Sequence, residues 1–230
     1  MKDRSRDSVP RHRPGRPLPP RPHRSPVKIG VIGAGHVGGT LAARLVAAGH
    51  EVAISNSRGP ETLHGAVDGA RPMTVEDAAR FGDVIVVSIP FGRYREVPAD
   101  ALDGKLVIDT INYYPQRDGH FPALDDGSTT SSELLQAHLP NARVVKAFNA
   151  ISWINVRDAG RLLGDPERLG IPLSGDDKRA KHTVAELIDE IGFDPVDAGT
   201  LAQGGRKHQV DAPAYGKGMP TAELRSRLSG

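Results

Sequence analysis

The chain has 230 residues, 30 Lys and Arg against 28 Asp and Glu, a formal net charge of +2 and 38% apolar residues. That length buries a sizeable core in one domain, with or without an appendage. No cysteine is present, which excludes disulfides, cysteine-held clusters and thiol nucleophiles. No apolar run approaches the roughly 18–20 residues of a membrane span, and the nine histidines include no i,i+4 pair of the kind a helical metal site uses. The expectation is a soluble cytoplasmic protein with no membrane attachment and no metal.

Residues 1–26 hold eight Lys or Arg, two Asp and seven of the 19 prolines. So little apolar surface cannot offset the entropy of ordering, so a disordered basic tail is expected. A nucleic-acid-binding arm is the weaker reading, because no aromatic is interleaved and the remaining chain is net acidic. Translation starting at Val27 would leave the segment outside the protein.

From Val27 the pattern alternates. Residues 27–33 (VKIGVIG) form a β-branched run, and His36 to Ala48 places apolar residues at helical spacing up to a stop at Gly49. A second strand follows at 51–55 and a weak third at 70–74. Thr74 and Asp77 suggest a capping box for a short helix to Arg80. DVIVVSIP (83–90) and KLVIDT (105–110) read as strands covered on both faces. A loop over 112–127 precedes a helix from Ser131 to His138 and a strand at 142–150. Beyond it come a strand at 171–175, a helix at 176–191, a strand at 193–199, a Gly/Pro-rich stretch at 202–219 and a helix at 221–228 capped by Thr221. Strands alternating with helices imply an α/β, Rossmann-type, doubly wound and mainly parallel sheet. The expected divisions are a dinucleotide-binding domain over 27–150 and a short α/β C-terminal extension over 151–230 that completes the acceptor site.

Gly33-Ala34-Gly35-His36-Val37-Gly38 has the G-x-G-x-x-G spacing and sits between a predicted strand and a predicted helix. In that context Gly33 permits the tight turn, Gly35 lets backbone approach a pyrophosphate, and Gly38 lets the helix pack closely. The helix N-terminus then offers unpaired N–H groups to the phosphates. Where an NAD-binding domain carries an acid for the ribose 2′-hydroxyl, this chain has Ser55-Asn56-Ser57-Arg58 and no acid until Glu61. Donors plus a guanidinium suit a phosphate dianion, so the expected cofactor is NADP(H). Asp109 and Asp197 end strands and read as turn initiators. No nucleophile–base pair is visible and no catalytic side chain is assigned.

VKIGVIGAGHVG, SNSRG and DVIVVSIP, followed by VVKAFNAIS, PLSGDD and DPVDAGTLAQGGR, resemble the coenzyme F420-dependent NADP oxidoreductase family over about residues 27–218. VVKAFNAIS also resembles the cytosolic reductase domain of the STEAP metalloreductases. The resemblance implies hydride transfer between NADP(H) and a small-molecule acceptor, either coenzyme F420 or a flavin such as FMN or FAD. It places Ala34, His36 and Val37 along the pyrophosphate and Ser57 and Arg58 at the 2′-phosphate. Ser88, Ile89 and Pro90 would stand beside the nicotinamide, with Ala147, Phe148 and Asn149 in the equivalent place after a later strand. The F420-using enzymes carry a His-Thr pair where this chain has Phe148-Asn149, which bears on the acceptor. No transmembrane haem domain follows within these residues, so haem-routed ferric reduction is not expected. An imine or carbonyl reductase and a non-enzymatic NADP sensor are the alternatives, and a homodimer is compatible with any of these.

Overall fold

The computed structural model describes residues 25–216 and 218–230, so all of the expected tail except Ser25 and Pro26 lies outside the described residues. The first half runs β1 (Lys28–Ile32), α1 (His36–Ala47), β2 (Glu51–Ser55), β3 (Arg71–Pro72), α2 (Val75–Phe81), β4 (Val84–Val87) and β5 (Leu106–Asp109). Two single turns, α3 (Pro115–Asp118) and α4 (Pro122–Asp125), precede α5 (Ser131–His138) and β6 (Arg143–Ala147). The remainder is α6 (Trp153–Asp158), β7 (Leu169–Gly175), α7 (Lys178–Glu190), β8 (Asp194–Gly199), α8 (Leu201–His208), β9 (Met219–Pro220) and α9 (Thr221–Ser229).

Among the described residues all nine strands share one sheet in the order β3-β2-β1-β4-β5-β6-β7-β8, with β9 also pairing β7. From β3 to β6 every pairing is parallel, which is the doubly wound order with its switch point between β1 and β4. Strand side chains alternate between the faces, and the core divides accordingly. Ile29, Val31, Val84 and Val86 face α1 and α7, whereas Ile32, Ile85, Val87 and Val107 face α5 and the short helical turns after β4. That double coverage explains why β4 and β5 are apolar without alternation.

The C-terminal extension continues this sheet rather than forming a separate layer. β7 pairs with β6 antiparallel, Ala147 against Leu173 and Val145 against Gly175, and β8 then runs parallel to β7. The reversal is the main departure from the parallel pattern. It sends the ends of β7 and β8 away from the carboxyl edge of β1–β6, and α8 returns the chain towards that edge.

Local chemistry accounts for the other differences. α8 occupies what reads as a Gly/Pro-rich loop, because a Cβ on Gly204 would stand 2.6 Å from Ala198 O and from Ser174 Oγ. The glycine there serves close packing, not chain flexibility. α6 lies in an expected loop and is capped by Ser152, whose Oγ accepts from Asn155 N at 3.2 Å. Thr74 caps α2 by accepting from Asp77 N, but the reciprocal capping box is at Thr130 and Glu133, where each side chain meets the other's backbone N–H (3.2 and 2.8 Å). Thr221 is not the cap of α9. Its hydroxyl donates to Asp194 Oδ2 and sits near Arg168 O, while Pro220 holds the cap position.

Leu41, 1% exposed, fastens α1 to the sheet. Leu41→Ala is expected to lower unfolding free energy by about 2–5 kcal/mol, read as a lower urea midpoint at unchanged slope. An unaltered midpoint would show that α1 is not held by this face.

Candidate dinucleotide-binding site

The glycine loop leaves β1 at the switch point, and each glycine has a distinct geometric reason. Gly33 has φ +107°, and a Cβ there would lie 2.1 Å from Ser88 O. A Cβ on Gly38 would lie 1.9 Å from Gly33 O, so α1 can start this close to the strand only without a side chain. Gly35 differs, since a Cβ there would meet nothing within 4 Å. Its open side is the approach a ligand backbone or phosphate needs. Gly35 is also the N-cap of α1, with no side-chain cap and no acid in the first turn. The first-turn N–H groups and the positive end of the helix dipole are therefore available to an anion. Ala34 and Val37 pack partly against the core, and His36 is exposed.

At the end of β2 the four expected residues divide. Ser55 is fully buried and its Oγ donates to Val31 O (3.0 Å), so it braces β1 against β2. Asn56 organises the turn, accepting from Arg58 N (2.8 Å) and donating to Thr62 Oγ1 (2.9 Å). The side chains of Ser57 and Arg58 stand exposed. The local donor set for a 2′-phosphate is therefore Ser57 and Arg58. Glu61, the nearest acid in sequence, lies over the open side of Gly59.

After β4, Ser88 is half-buried with its N–H held by Ile32 O (2.8 Å), and Ile89 and Pro90 lead outward. After β6 the side chains of the three expected residues are turned into the protein. Ala147 and Phe148 are core residues. Phe148 has φ +62°, a left-handed conformation uncommon for a bulky residue, which turns the chain while its ring packs inward. Asn149, 5% exposed, has its amide fully engaged. Its Nδ2 donates to Asn112 Oδ1 (3.1 Å) and His208 O (2.7 Å), and its Oδ1 accepts from His208 Nδ1 (2.9 Å).

That last contact fixes the histidine tautomer. With Nδ1 carrying the proton, His208 Nε2 accepts from Ser174 Oγ at 2.7 Å. The Ser174–His208–Asn149 order matches a nucleophile–base–orienter chain, but Ser174 and His208 are both 0% exposed and no substrate reaches them. Burial, reinforced by the Lys146 charge, depresses the His208 pKa to about 3. Nearby, the buried Lys146 ammonium meets Ile111 O (2.8 Å), Asp109 and Ser131 Oγ (both 3.4 Å), and Ser132 Oγ donates to Asp109 (2.6 Å). Asp109 and Asp197 each accept a backbone N–H two residues on, as turn initiators do. This network joins the exits of β5 and β6 to the end of α8. Sequence periodicity gives no sign of it, because its hydrogen-bonded pairs lie up to 59 residues apart.

Among the described residues no helix is long and apolar enough to cross a membrane. The sheet order and the glycine loop at its switch point define a Rossmann-type dinucleotide-binding protein. A family model described as NADP oxidoreductase, coenzyme F420-dependent, matches residues 28–113. The chain is 34% identical over 180 residues to the rat metalloreductase STEAP3, covering 76% of this chain and 34% of that protein. It is 29% identical over 188 residues to mouse metalloreductase STEAP2, with the same coverage. The chain thus spans about a third of the length of these relatives. Among solved structures, the hypothetical protein SMa0349 from Sinorhizobium meliloti superposes with a TM-score of 0.71 at 31% identity, covering 86% of this chain and 96% of that one. A proposed F420-dependent NADP-reductase from Arthrobacter sp. FB24 gives 0.66 at 29% identity, covering 78% and 88%. Over residues 28–113 the chain is similar to the coenzyme F420-dependent NADP oxidoreductase family.

The buried histidine makes stability depend on pH with a defined sign. Its folded pKa lies below the unfolded value of 6.5, so its contribution is complete above pH 6.5 and is lost as pH falls towards 3. Wild type is expected to lose stability across that interval, and His208→Gln to show a shallower loss there. Asn149→Ala orphans several buried groups, each costing about 1–3 kcal/mol, and is expected to lower the thermal midpoint markedly. A small change there would show that the junction is not structural.

Proposed function

We propose that this protein is an NADP(H)-dependent oxidoreductase that moves a hydride between NADP(H) and coenzyme F420 or a flavin (FMN or FAD). The observation that carries the cofactor assignment is the acid-free end of β2, where exposed Ser57 and Arg58 adjoin the glycine loop at the switch point. A guanidinium there favours a phosphate and gains nothing from a plain 2′-hydroxyl. Bound NADPH supplies a hydride from the nicotinamide ring. The chain's own residues hold and orient: the α1 N-terminus takes the pyrophosphate, Ser57 and Arg58 the 2′-phosphate, and Ser88–Pro90 flank the nicotinamide half.

The carboxyl edge supports transfer by orientation, not by protein acid–base chemistry. Asp109 is buried against Lys146 and Ser132, and His208 is closed to solvent. Hydride transfer between two rings requires alignment at about 3–3.5 Å, which suits an edge without a free acid or base. The family description and the Arthrobacter neighbour support a deazaflavin as the acceptor, and the metalloreductase relatives make a ferric chelate the necessary comparison.

Purified protein is expected to oxidise NADPH in preference to NADH, with F420, FMN or FAD as acceptor. Binding of NADPH without reduction of any of these would defeat the hydride-transfer reading. Arg58→Ala removes one charged hydrogen bond of ~1.5–3 kcal/mol and is expected to weaken NADPH about ten- to a hundredfold while leaving NADH nearly unchanged. Equal losses for both cofactors would overturn the 2′-phosphate assignment. Gly35→Val is expected to abolish NADPH binding with the fold retained, since the new side chain fills open space. Normal binding by that variant would reduce the loop to a turn.

A further inference from the structure

We propose that Trp153 is a positioning residue of the dinucleotide site, holding the His36 ring so that a ring N–H is presented to the pyrophosphate. This rests on the NADP(H)-binding reading and adds to it a residue well outside the segment that matches the family model, which ends at residue 113.

His36 is the first residue of α1 and one of the variable positions in the glycine loop. Gly35 precedes it and Gly39 stands one turn on, so neither supplies a side chain for it to lean against. Restraint comes from α6 instead. The Trp153 indole lies against the His36 imidazole with centroids 4.7 Å apart and planes 14° from parallel. An offset-stacked pair of this kind fixes the plane of the smaller ring.

The indole is itself held. Ser152 caps α6, Val156 is buried in the core that α1 shares, and the Arg157 guanidinium lies 5.2 Å from the indole centroid. Arg157 also pairs with Asp158 through two bonds (2.8 and 2.7 Å). α6 follows within four residues of Asn149, which the buried junction pins to Asn112 and His208. A continuous chain of contacts thus runs from the junction at the β6 exit through α6 to the loop. Gly35 and His36 also line a cleft of about 470 Å³ whose lining includes Thr40, Val67 and Arg157. The stacked imidazole stands at the end of that cleft nearest the α1 N-terminus, where an anion gains from both the ring N–H and the helix dipole. Pre-setting the ring removes the ordering cost that a free side chain would carry on binding.

The closing experiment compares NADPH with 2′-AMP, which carries the 2′-phosphate but no pyrophosphate, on the full chain. Trp153 is the one tryptophan in the sequence, so its fluorescence reports binding in the wild type, and calorimetry serves the variants. Trp153 is only half-buried, and thermal midpoints check that each variant folds. Trp153→Ala is expected to raise the NADPH Kd about tenfold, equivalent to ~1.4 kcal/mol, and to leave the 2′-AMP Kd within about twofold. Trp153→Phe, which keeps a stacking ring, restores most of the loss. His36→Ala matches the loss in Trp153→Ala, and the double variant adds nothing further. The proposal is overturned if Trp153→Ala leaves NADPH affinity unchanged, if both ligands weaken equally, if Trp153→Phe rescues nothing, or if the two single losses add. Failure of wild type to bind NADPH at all would instead refute the underlying cofactor reading.

Discussion

The close approach of β1, α1 and the β4 exit is the constraint on which the rest depends. Three backbone segments meet where Gly38 faces Gly33 O and Gly33 faces Ser88 O, at separations that leave no room for a Cβ. Because the helix starts that close to the strand, its N-terminal N–H groups open onto the carboxyl edge at the switch point. Any side chain at either glycine would lift α1 away and dissolve the anion site. The third glycine is different in kind, since nothing in the protein crowds Gly35 and the space beside it is open.

A second constraint lies on the other side of the sheet's carboxyl edge and is polar. Asn149, Asn112, His208 and Ser174 satisfy one another completely. In a water-free setting such a network is stable only when every member has its partner. It locks the antiparallel β7–β8 addition to the parallel half, with the Asn149 amide at its centre. The left-handed Phe148 immediately before it costs about 1–3 kcal/mol in backbone strain, which the surrounding packing and hydrogen bonds hold in place. The junction and the glycine loop are therefore linked through the short helix between them, not independent features of one edge.

The sequence by itself determined the order of the elements, the doubly wound class and the glycine loop, because these rest on local signals: β-branched runs, helical spacing, and glycines at fixed offsets between a strand and a helix. It also determined the character of the β2 end, where the absence of an acid is a one-dimensional fact. Only the tertiary structure decided which of those residues are free to act. Ser55 and Arg58 are equally polar on paper, yet the in-register pairing of β1 with β2 turns the Ser55 hydroxyl to Val31 O and leaves Arg58 in solvent. Gly204 likewise reads as a loop residue until Ser174 and Ala198 are seen beside it. The reversal at β7, the His208 junction and the stacking of Trp153 on His36 each join residues 26 to 117 positions apart. Periodicity and spacing carry local geometry only, and contacts across that separation exist once the whole sheet has closed.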